Sequence, residues 1–288
     1  MRQTGHPGGG RAAPPREHAT FAPPCHSGAV KKPFPFAGLL ADYQRVSAPS
    51  FSQRYTGGDY LDQVPDWHAG DAEWKAGKVF EMIERHGLKP ESVCDVGCGV
   101  GEILVQLQKR MSTTVRFRGF DISPQALEIA KTKQNERLKF EQRDFLAETA
   151  ENYDVVLLLD VFEHVPDYLS FLSRLRGRAR YFIFHIPLDA HAASVLRGSR
   201  YMLAMRKEFG HLHYFTHETA MATLEDSGYR VLDHFHTWDG ETDRIPLRYP
   251  FRAGIQLLDR VLFNLRPKLA ASLRPHFNTL VLAEAQSA

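Results

Sequence analysis

Three glycines alternate along residues 92–102, SVCDVGCGVGE, at Gly97, Gly99 and Gly101, and the carboxylate of Asp95 stands two places before them. Glycine allows a tight turn and a close approach of the backbone to a ligand, because it has no Cβ. A loop of this kind between a strand and a helix is typical of a nucleotide-type cofactor site. A tight turn without any ligand is the alternative interpretation of the same glycines.

Carboxylates also close the next three apolar segments. Asp121 ends VRFRGFD, Asp144 ends LKFEQRD and Asp160 ends YDVVLLLD. Ligands of open α/β sheets bind beyond the carboxyl ends of the strands, so we expect these acids to share one rim with Asp95. Four acids at one rim favour a ligand that carries positive charge or hydroxyl donors.

A dinucleotide-binding loop is the nearest alternative, and its spacing does not fit. The pattern G-x-G-x-x-G counted from Gly97 requires glycine where the chain has Glu102, and counted from Gly99 it requires glycine at Leu104. A pyrophosphate would also face the carboxylates of Asp95 and Glu102 at a helix N-terminus, which is the wrong sign. The site therefore suits a ligand other than a polyphosphate.

Alternating strands and helices are needed to bring these residues together, and the apolar pattern predicts them. An amphipathic helix over 72–90 leads into the glycine stretch, and short apolar strands then alternate with helices to about residue 187. A helix near 217–227, a strand at 228–238, a helix near 254–265 and a strand at 278–286 follow. We predict an α/β fold with a doubly wound, mostly parallel seven-stranded sheet whose last strand is antiparallel.

Composition limits the classes of binding partner and the cellular compartment that fit this chain. The 36 basic and 34 acidic side chains leave a net charge of +2, which is weak support for a nucleic-acid partner. Cys25, Cys94 and Cys98 are a poor framework for disulfides and favour a reducing cytoplasm. Cys94 and Cys98 lack a second ligand pair, so we predict no metal site. No apolar run approaches the ~18 residues of a membrane span.

From about Trp74 to Gly228 the chain resembles the class I S-adenosylmethionine-dependent methyltransferases, since the glycine stretch matches their first motif and the acids follow in order. The resemblance implies the Rossmann-like methyltransferase fold and S-adenosylmethionine as cofactor. The loop Asp95–Gly101, including Cys98, would wrap the methionine half of the cofactor.

The same resemblance implies roles for the later strand ends. Asp121 would accept both ribose hydroxyls, and Ile122 would pack on adenine. Asp144, beside Phe145, would bond the adenine amino group, and Asp160 would lie near the methionine ammonium and the methyl group. An acidic rim agrees with these roles, because the cofactor presents a sulfonium cation and several donors.

Two of these acids have structural alternatives. Asp121 could cap the next helix, although Ser123 before Pro124 fills that role better. Asp144 could be a solvated loop acid.

Histidines are the candidates on the acceptor side. The segments DVFEHVPD at 160–167 and GHLHYFT at 210–216 resemble the small-molecule branch of the family, and they place His164 and His211 as candidate general bases, with His213 as a weaker one. Direct displacement depends mainly on alignment, so a base matters only for hydroxyl or protonated amine acceptors. Backbone bonding or helix capping is the commoner role of such histidines, and His185 is predicted to be a satisfied core or rim histidine.

The predicted domains are a disordered tail at 1–35, which has seven prolines and five glycines, and a methyltransferase domain at 36–288. A start codon placed too far upstream would produce the same tail. Within the domain, 70–190 would bind the cofactor and 190–288 would serve the acceptor and complete the sheet. The basic and apolar segment 250–276 could lie on a membrane surface, but we favour a helix whose apolar face packs beside the sheet.

The predicted function is methyl transfer from S-adenosylmethionine to a small or lipid-linked metabolite. A non-catalytic regulatory or scaffold protein that binds the same cofactor is the alternative, because a fold does not guarantee turnover. A polyamine-forming relative would need an extra pair of acids after strand four. Nucleic-acid adenine methylation is disfavoured, because Asp160-Val161-Phe162 stands where those enzymes carry Asn or Asp followed by two prolines.

Overall fold

The computed structural model describes residues 69–147, 151–198, 200–241 and 250–286. Its strands are β1 (Ser92–Val96), β2 (Arg116–Asp121), β3 (Leu138–Gln142), β4 (Tyr153–Leu159), β5 (Ala179–Pro187), β6 (Tyr229–Trp238) and β7 (Phe277–Ala285). Its helices are α1 (Ala72–Arg85), α2 (Glu102–Arg110), α3 (Pro124–Lys131), α4 (Tyr168–Leu175), α5 (Ala192–Leu196), α6 (Arg200–Glu208), α7 (His217–Asp226), α8 (Pro250–Leu265) and α9 (Pro267–Leu273). The predicted tail at 1–35 and Cys25 lie outside the described residues.

The strands form one seven-stranded sheet in the order β3-β2-β1-β4-β5-β7-β6. The pairs β3-β2, β2-β1, β1-β4 and β4-β5 are parallel. Two apolar clusters of buried side chains cover the two faces of the sheet, one containing Leu104 and Leu127 and the other Phe162 and Leu172. The prediction of a doubly wound, mostly parallel sheet is therefore confirmed. It was possible because strands that are buried on both faces have continuous apolar sequences.

The last strand is antiparallel, as predicted, and it lies inside the sheet. β7 pairs with β5 on one side and β6 on the other, and it is antiparallel to both. β6, which precedes it in the chain, forms the edge. Residues from the end of the described chain consequently form an interior strand, next to the edge.

The structure corrects our expectation for the segment 250–276. Only Leu262 and Phe263 of α8 pack against the small apolar cluster around Trp238. Other large apolar side chains stay exposed, with exposed fractions from 41% to 80%. They are Phe251, Leu257, Leu258, Val261, Leu265, Leu269 and Leu273. Most of the apolar face of α8 is thus exposed, and its contact with this cluster runs through Leu262 and Phe263.

Three helices were not predicted from the sequence, namely α5, α6 and α9. At five and seven residues, α5 and α9 are too short to repeat an apolar pattern over several turns, whereas α6, at nine residues, carries a spacing that is described with the site below. None of the helices in the described ranges is long and apolar enough to cross a membrane.

Candidate active site

The carboxyl ends of the parallel strands open into a cavity of about 710 Å³, within the range of small-molecule sites. Eleven of the residues proposed from sequence line it, namely Asp95, Gly97, Cys98, Gly99, Asp121, Ile122, Asp144, Phe145, Asp160, His164 and His211. Gly101 is not among the lining residues. The structure therefore brings the strand ends together as the register of a parallel sheet requires.

The glycine loop takes a backbone conformation that other residues adopt rarely. Gly97, Gly99 and Gly101 have φ values of 78°, 51° and 76°. A Cβ on Gly101 would lie 2.3 Å from the ring of Phe140, so this glycine serves packing at the start of α2 rather than the cavity. A Cβ on Gly97 would lie 2.9 Å from Val161 across the loop.

Asp121 ties the glycine loop to the end of β2. Its two carboxylate oxygens accept hydrogen bonds from the amides of Gly99 and Ser123, each at 2.8 Å. Burial raises the pKa of Asp121 although these amides oppose the shift. Ser123, and not Asp121, caps α3, because its hydroxyl accepts from the amide of Ala126. The capping alternative for Asp121 is thereby removed.

Asp95 is almost fully buried beneath this loop. Burial, and then the charge of Asp121, raise its pKa to about 7. The charges of Asp95 and Asp121 therefore repel each other. A cationic ligand in the cavity would relieve that repulsion.

The adenine end proposed from sequence is built by the loop after β3. Asp144 is exposed, and its Oδ1 accepts a hydrogen bond from the amide of Leu146 at 2.9 Å. Phe145 is buried and packs on Phe120 with ring centroids 5.1 Å apart. Half-buried Ile122 completes this side of the cavity. Asp144 thus lies exposed at the edge of an apolar part of the cavity.

Asp160 is engaged by protein groups on both carboxylate oxygens. Lys75 Nζ lies 2.6 Å from Oδ2, and His185 Nδ1 lies 2.6 Å from Oδ1. Burial alone would raise the pKa of Asp160, but His185 and Lys75 hold it well below its usual range. The other ring nitrogen of His185 lies 2.9 Å from Thr237 Oγ1, so this histidine is satisfied, as predicted. Sequence analysis did not single out Lys75.

The backbone at Asp160 is strained, with φ at 57° in a residue other than glycine. Its amide donates to the carbonyl of His185 at 3.0 Å, and its carboxylate is held as described. Such strain persists where the surroundings fix it, and it clusters at functional sites.

The end of the cavity that the sequence analysis assigned to the acceptor, here named the acceptor end, holds Glu163, His164 and His211. Glu163 is wholly buried, and its two carboxylate oxygens have no hydrogen-bond partner among the described residues. His164 Nε2 lies 3.8 Å from Glu163 Oε1. His211 Nδ1 lies 2.5 Å from Asp189 Oδ2, and its ring centroid lies 4.9 Å from that of His164.

Backbone hydrogen bonds hold this end together. The amides of Leu212 and His213 both donate to the carbonyl of Glu163, at 2.8 and 3.1 Å. His213 Nε2 contacts the carbonyl of Val165 at 3.0 Å, and its ring lies 4.4 Å from that of Tyr168. His213 therefore has a structural role outside the cavity, which agrees with its lower place among the candidates.

Helix α6 adds residues that sequence analysis missed. Tyr201, Met205 and Phe209 line the acceptor end beside His211. The hydroxyl of Tyr201 lies 3.5 Å from Asp189 Oδ1. Tyr201 and Met205 are spaced i, i+4 on one face of α6 and Phe209 follows directly after its end, and this spacing is the signal that could have identified them.

Comparison with known proteins agrees with this geometry. A family model described as a methyltransferase domain matches residues 68–234, which is more than half of the chain. The chain belongs to this family of S-adenosylmethionine-dependent methyltransferases.

Curated relatives are similar over a shorter stretch. The chain is 39% identical over 97 residues to Ubiquinone biosynthesis O-methyltransferase of Vibrio parahaemolyticus, which covers 32% of this chain and 40% of the relative. Over 138 residues it is 30% identical to the protein of the same name from Aeromonas salmonicida, covering 44% of this chain and 57% of the relative. The matches thus span about half the length of these relatives.

Solved structures support the fold. A chain of the complex between the Haloferax volcanii Trm112 methyltransferase activator and a candidate methyltransferase superposes with a TM-score of 0.59 at 16% identity, covering 80% of this chain and 97% of that chain. A candidate methyltransferase of Bacillus halodurans C-125 gives a TM-score of 0.50 at 14% identity, with coverages of 74% and 99%. At these identities the likeness is one of fold alone.

Proposed function

We propose that this protein transfers the methyl group of S-adenosylmethionine to an oxygen of a small or lipid-linked metabolite. The observation that carries the proposal is one continuous cavity that joins the glycine loop and the acidic strand ends to His164, His211 and the side chains of α6. The names of the relatives, which are O-methyltransferases, support oxygen as the methylated atom.

The cofactor would lie along the glycine loop. The carboxylate of Asp121 can accept further hydrogen bonds besides those from the amides of Gly99 and Ser123, so it is suited to bind the ribose hydroxyls. Phe145 and Ile122 offer the apolar slot for adenine, and the buried Asp95 suits the cationic methionine end. Because Asp160 is already paired with Lys75 and His185, we propose that it fixes the cavity wall rather than binding the cofactor through its carboxylate.

The transfer is a displacement at carbon, and its main requirement is alignment of the acceptor oxygen with the methyl group and sulfur. Met205 and Phe209 supply an apolar surface that orients an acceptor, and His164 and His211 lie where the acceptor's hydroxyl proton is lost.

A reducing cytoplasm is our proposal for the compartment, supported by the free, buried Cys94 and Cys98.

A lipid-linked acceptor is favoured by the surface around α8. Exposed apolar side chains, among them Phe251 and Leu257, share this segment with Arg252, Arg260 and Arg266, and its acid Asp259 is paired with Arg274 at 2.8 Å. Apolar side chains beside basic ones fit the surface of an anionic bilayer. We propose that this surface contacts the membrane that holds the acceptor.

Calorimetry with S-adenosylmethionine and its demethylated product tests the cofactor site. We expect Asp121→Ala and Gly99→Arg to weaken both ligands at least tenfold, and the exposed Glu225→Ala, on α7 away from the cavity, to leave affinity within about twofold of wild type. Equal affinity in all four proteins would overturn the assignment.

Transfer of a labelled methyl group to soluble and membrane extracts, analysed separately, tests the acceptor class. Product in the membrane fraction supports the lipid-linked acceptor, and product only in the soluble fraction replaces it by a soluble one. Cofactor binding without any product would favour the non-catalytic alternative.

Sedimentation with anionic and neutral vesicles, comparing wild type with Phe251→Ser/Leu257→Ser, tests the α8 surface. If the same amount of protein sediments with both vesicle types, the proposed contact of this surface with the membrane is excluded.

A further inference from the structure

The acceptor end of the cavity contains a set of side chains with the composition of a metal centre. Glu163, His164 and His211 each offer one ligand atom, and these atoms lie within 4.8 Å of one another. His164 and His211 line the cavity, whereas Glu163 is fully buried. Two imidazoles and one carboxylate therefore converge on a point at the cavity wall.

The buried carboxylate of Glu163 has no explanation in the protein alone. Both oxygens are buried without a hydrogen-bond partner in the described part of the chain, and an uncompensated polar group of this kind is costly. The acids Asp160 and Asp189 act on Glu163 with the same sign of charge. Lys75, the cation that acts on it, is hydrogen-bonded to Asp160 instead. A bound cation would compensate a carboxylate buried at this point.

The arrangement around His211 is that of a ligating histidine. Its Nδ1 lies 2.5 Å from the carboxylate of Asp189, which leaves Nε2 for a ligand. Metal-ligating histidines commonly donate their second ring nitrogen to a carboxylate in this way. The loop that carries His211 is also fixed to Glu163 through the amides of Leu212 and His213. The ligand set is thus positioned before any ion binds.

We propose that Glu163, His164 and His211 bind one divalent transition-metal ion, with Zn²⁺ and Mn²⁺ as the candidates, at the acceptor end of the cavity. Two imidazoles with one carboxylate favour these ions over Mg²⁺, which prefers oxygen ligands. Three protein ligands leave coordination positions open, as in catalytic rather than structural sites. The expectation of no metal was based on Cys94 and Cys98 alone, and neither belongs to this cluster.

His164 and His211 line the space proposed for the acceptor, so an ion held by them would bind the acceptor's hydroxyl oxygen; this step rests on the proposed function. A bound cation lowers the pKa of that hydroxyl, which releases its proton to solvent. The oxygen lone pair then forms the O–CH₃ bond, the S–CH₃ bond breaks, and its electron pair stays on sulfur as a thioether. In this arrangement His164 and His211 are ligands, and neither acts as the general base.

Metal binding is measured directly on the full-length chain after chelator treatment, by titration with Zn²⁺, Mn²⁺ and Mg²⁺ and by absorbance of the Co²⁺ form. We expect one equivalent of Zn²⁺ or Mn²⁺, weak Mg²⁺ binding, and at least a hundredfold loss of affinity in His211→Ala and Glu163→Gln. His213→Gln is the matched control, because it changes a neighbouring histidine of the same loop outside the cluster, and it should bind within about threefold of wild type. Circular dichroism of each variant confirms that it folds.

The results separate this inference from the proposed function. Metal binding by wild type and His213→Gln but not by His211→Ala upholds the site even if no methyl transfer is found. Absence of stoichiometric binding, or equal binding in all variants, overturns the site even if the protein proves to be an active methyltransferase.

Discussion

The ammonium of Lys75 lies 2.6 Å from the carboxylate of Asp160, which stands 85 positions later in the chain. The contact joins α1, which precedes the glycine loop, to the strained residue that closes β4. Burial lowers the pKa of Lys75, but the charge of Asp160 and the hydrogen bond outweigh this and leave the pKa above its usual value. This ion pair therefore joins α1 to the end of β4.

Replacing Lys75 by Met should lower the free energy of unfolding at pH 7 by about 2–4 kcal/mol, because the Asp160 carboxylate loses one of its two partners and keeps only His185. Lys78→Met is the matched control: Lys78 pairs with Glu241 at 3.1 Å on the same helix, and both side chains are more exposed, so we expect a loss of about 0–1 kcal/mol. Urea unfolding measures both.

The effect of Lys75→Met should also depend on pH. Because the pKa of Asp160 is depressed in the folded state, its contribution is present above about pH 4 and is lost as the pH falls further. The difference between wild type and Lys75→Met should therefore shrink between pH 7 and pH 3. A difference that stays constant would contradict the assignment to this pair.

Asp95 should make the ligand-free protein less stable as the pH rises. Its pKa is about 7 in the folded state against about 4 in the unfolded chain, so between these values the folded state holds a proton that the unfolded chain has lost. Stability then falls from about pH 4 to about pH 7 and is level above. Asp95→Asn should remove this dependence of stability on pH and raise the free energy of unfolding at pH 8 by roughly 2–4 kcal/mol. The same substitution should weaken cofactor binding. Melting curves at pH 5 and pH 8 check the first effect, and the same slope in both proteins would refute it.

Gly101→Ala should be destabilising by roughly 2–4 kcal/mol, since φ is positive and the new Cβ would meet the ring of Phe140. Gly77→Ala provides the control, because Gly77 lies within α1 with open space at its Cβ position. For Gly77→Ala we expect the free energy of unfolding to rise by about 0.5–1 kcal/mol, because alanine has a higher helix propensity than glycine. Chemical denaturation of both variants gives the comparison, and similar values would show that the loop relaxes around the methyl group.

His236 should contribute to acid denaturation. Burial, and then His217 and His234, lower the pKa of His236 to about 4. As the pH falls from about 6.5 to 4, the unfolded chain binds a proton that the folded state does not, so the folded state loses stability over this range. His236→Phe should reduce the stability lost over that range by about 1–2 kcal/mol, a value that allows for its partial exposure to solvent. Thermal melting at pH 7 and pH 5 tests this, and an unchanged acid loss would exclude His236 as a source.

The fold was predictable because its strands are buried on both faces and end in polar residues. The runs VVLLL in β4 and FIF in β5 identify interior strands without any partner information, and Asp95, Asp121 and Asp144 mark their neighbours' ends. The place of β7 between β5 and β6 was not predictable, since antiparallel pairing leaves no mark on the sequence that distinguishes an edge from an interior position.

The contacts within the cavity were less predictable than its location. Lys75 reads as an ordinary polar residue of an amphipathic helix, and only the three-dimensional fold brings it to Asp160. Glu163 reads as one more acid of the segment 160–167, although it is buried without a hydrogen-bond partner in the described structure. Burial of a charged residue depends on long-range packing, which a local pattern does not encode.

The position of β7 has a consequence for synthesis of the chain. β5 ends at Pro187 and β7 begins at Phe277, so the β5 edge has no partner on that side until about 90 more residues have been made. At ribosomal rates this interval is roughly 5–20 s. An apolar, unpaired strand edge exposed for that time is prone to pairing with other chains. We therefore expect nascent chains of this protein to depend on a chaperone until the strand that also carries the cavity residue Asn278 emerges.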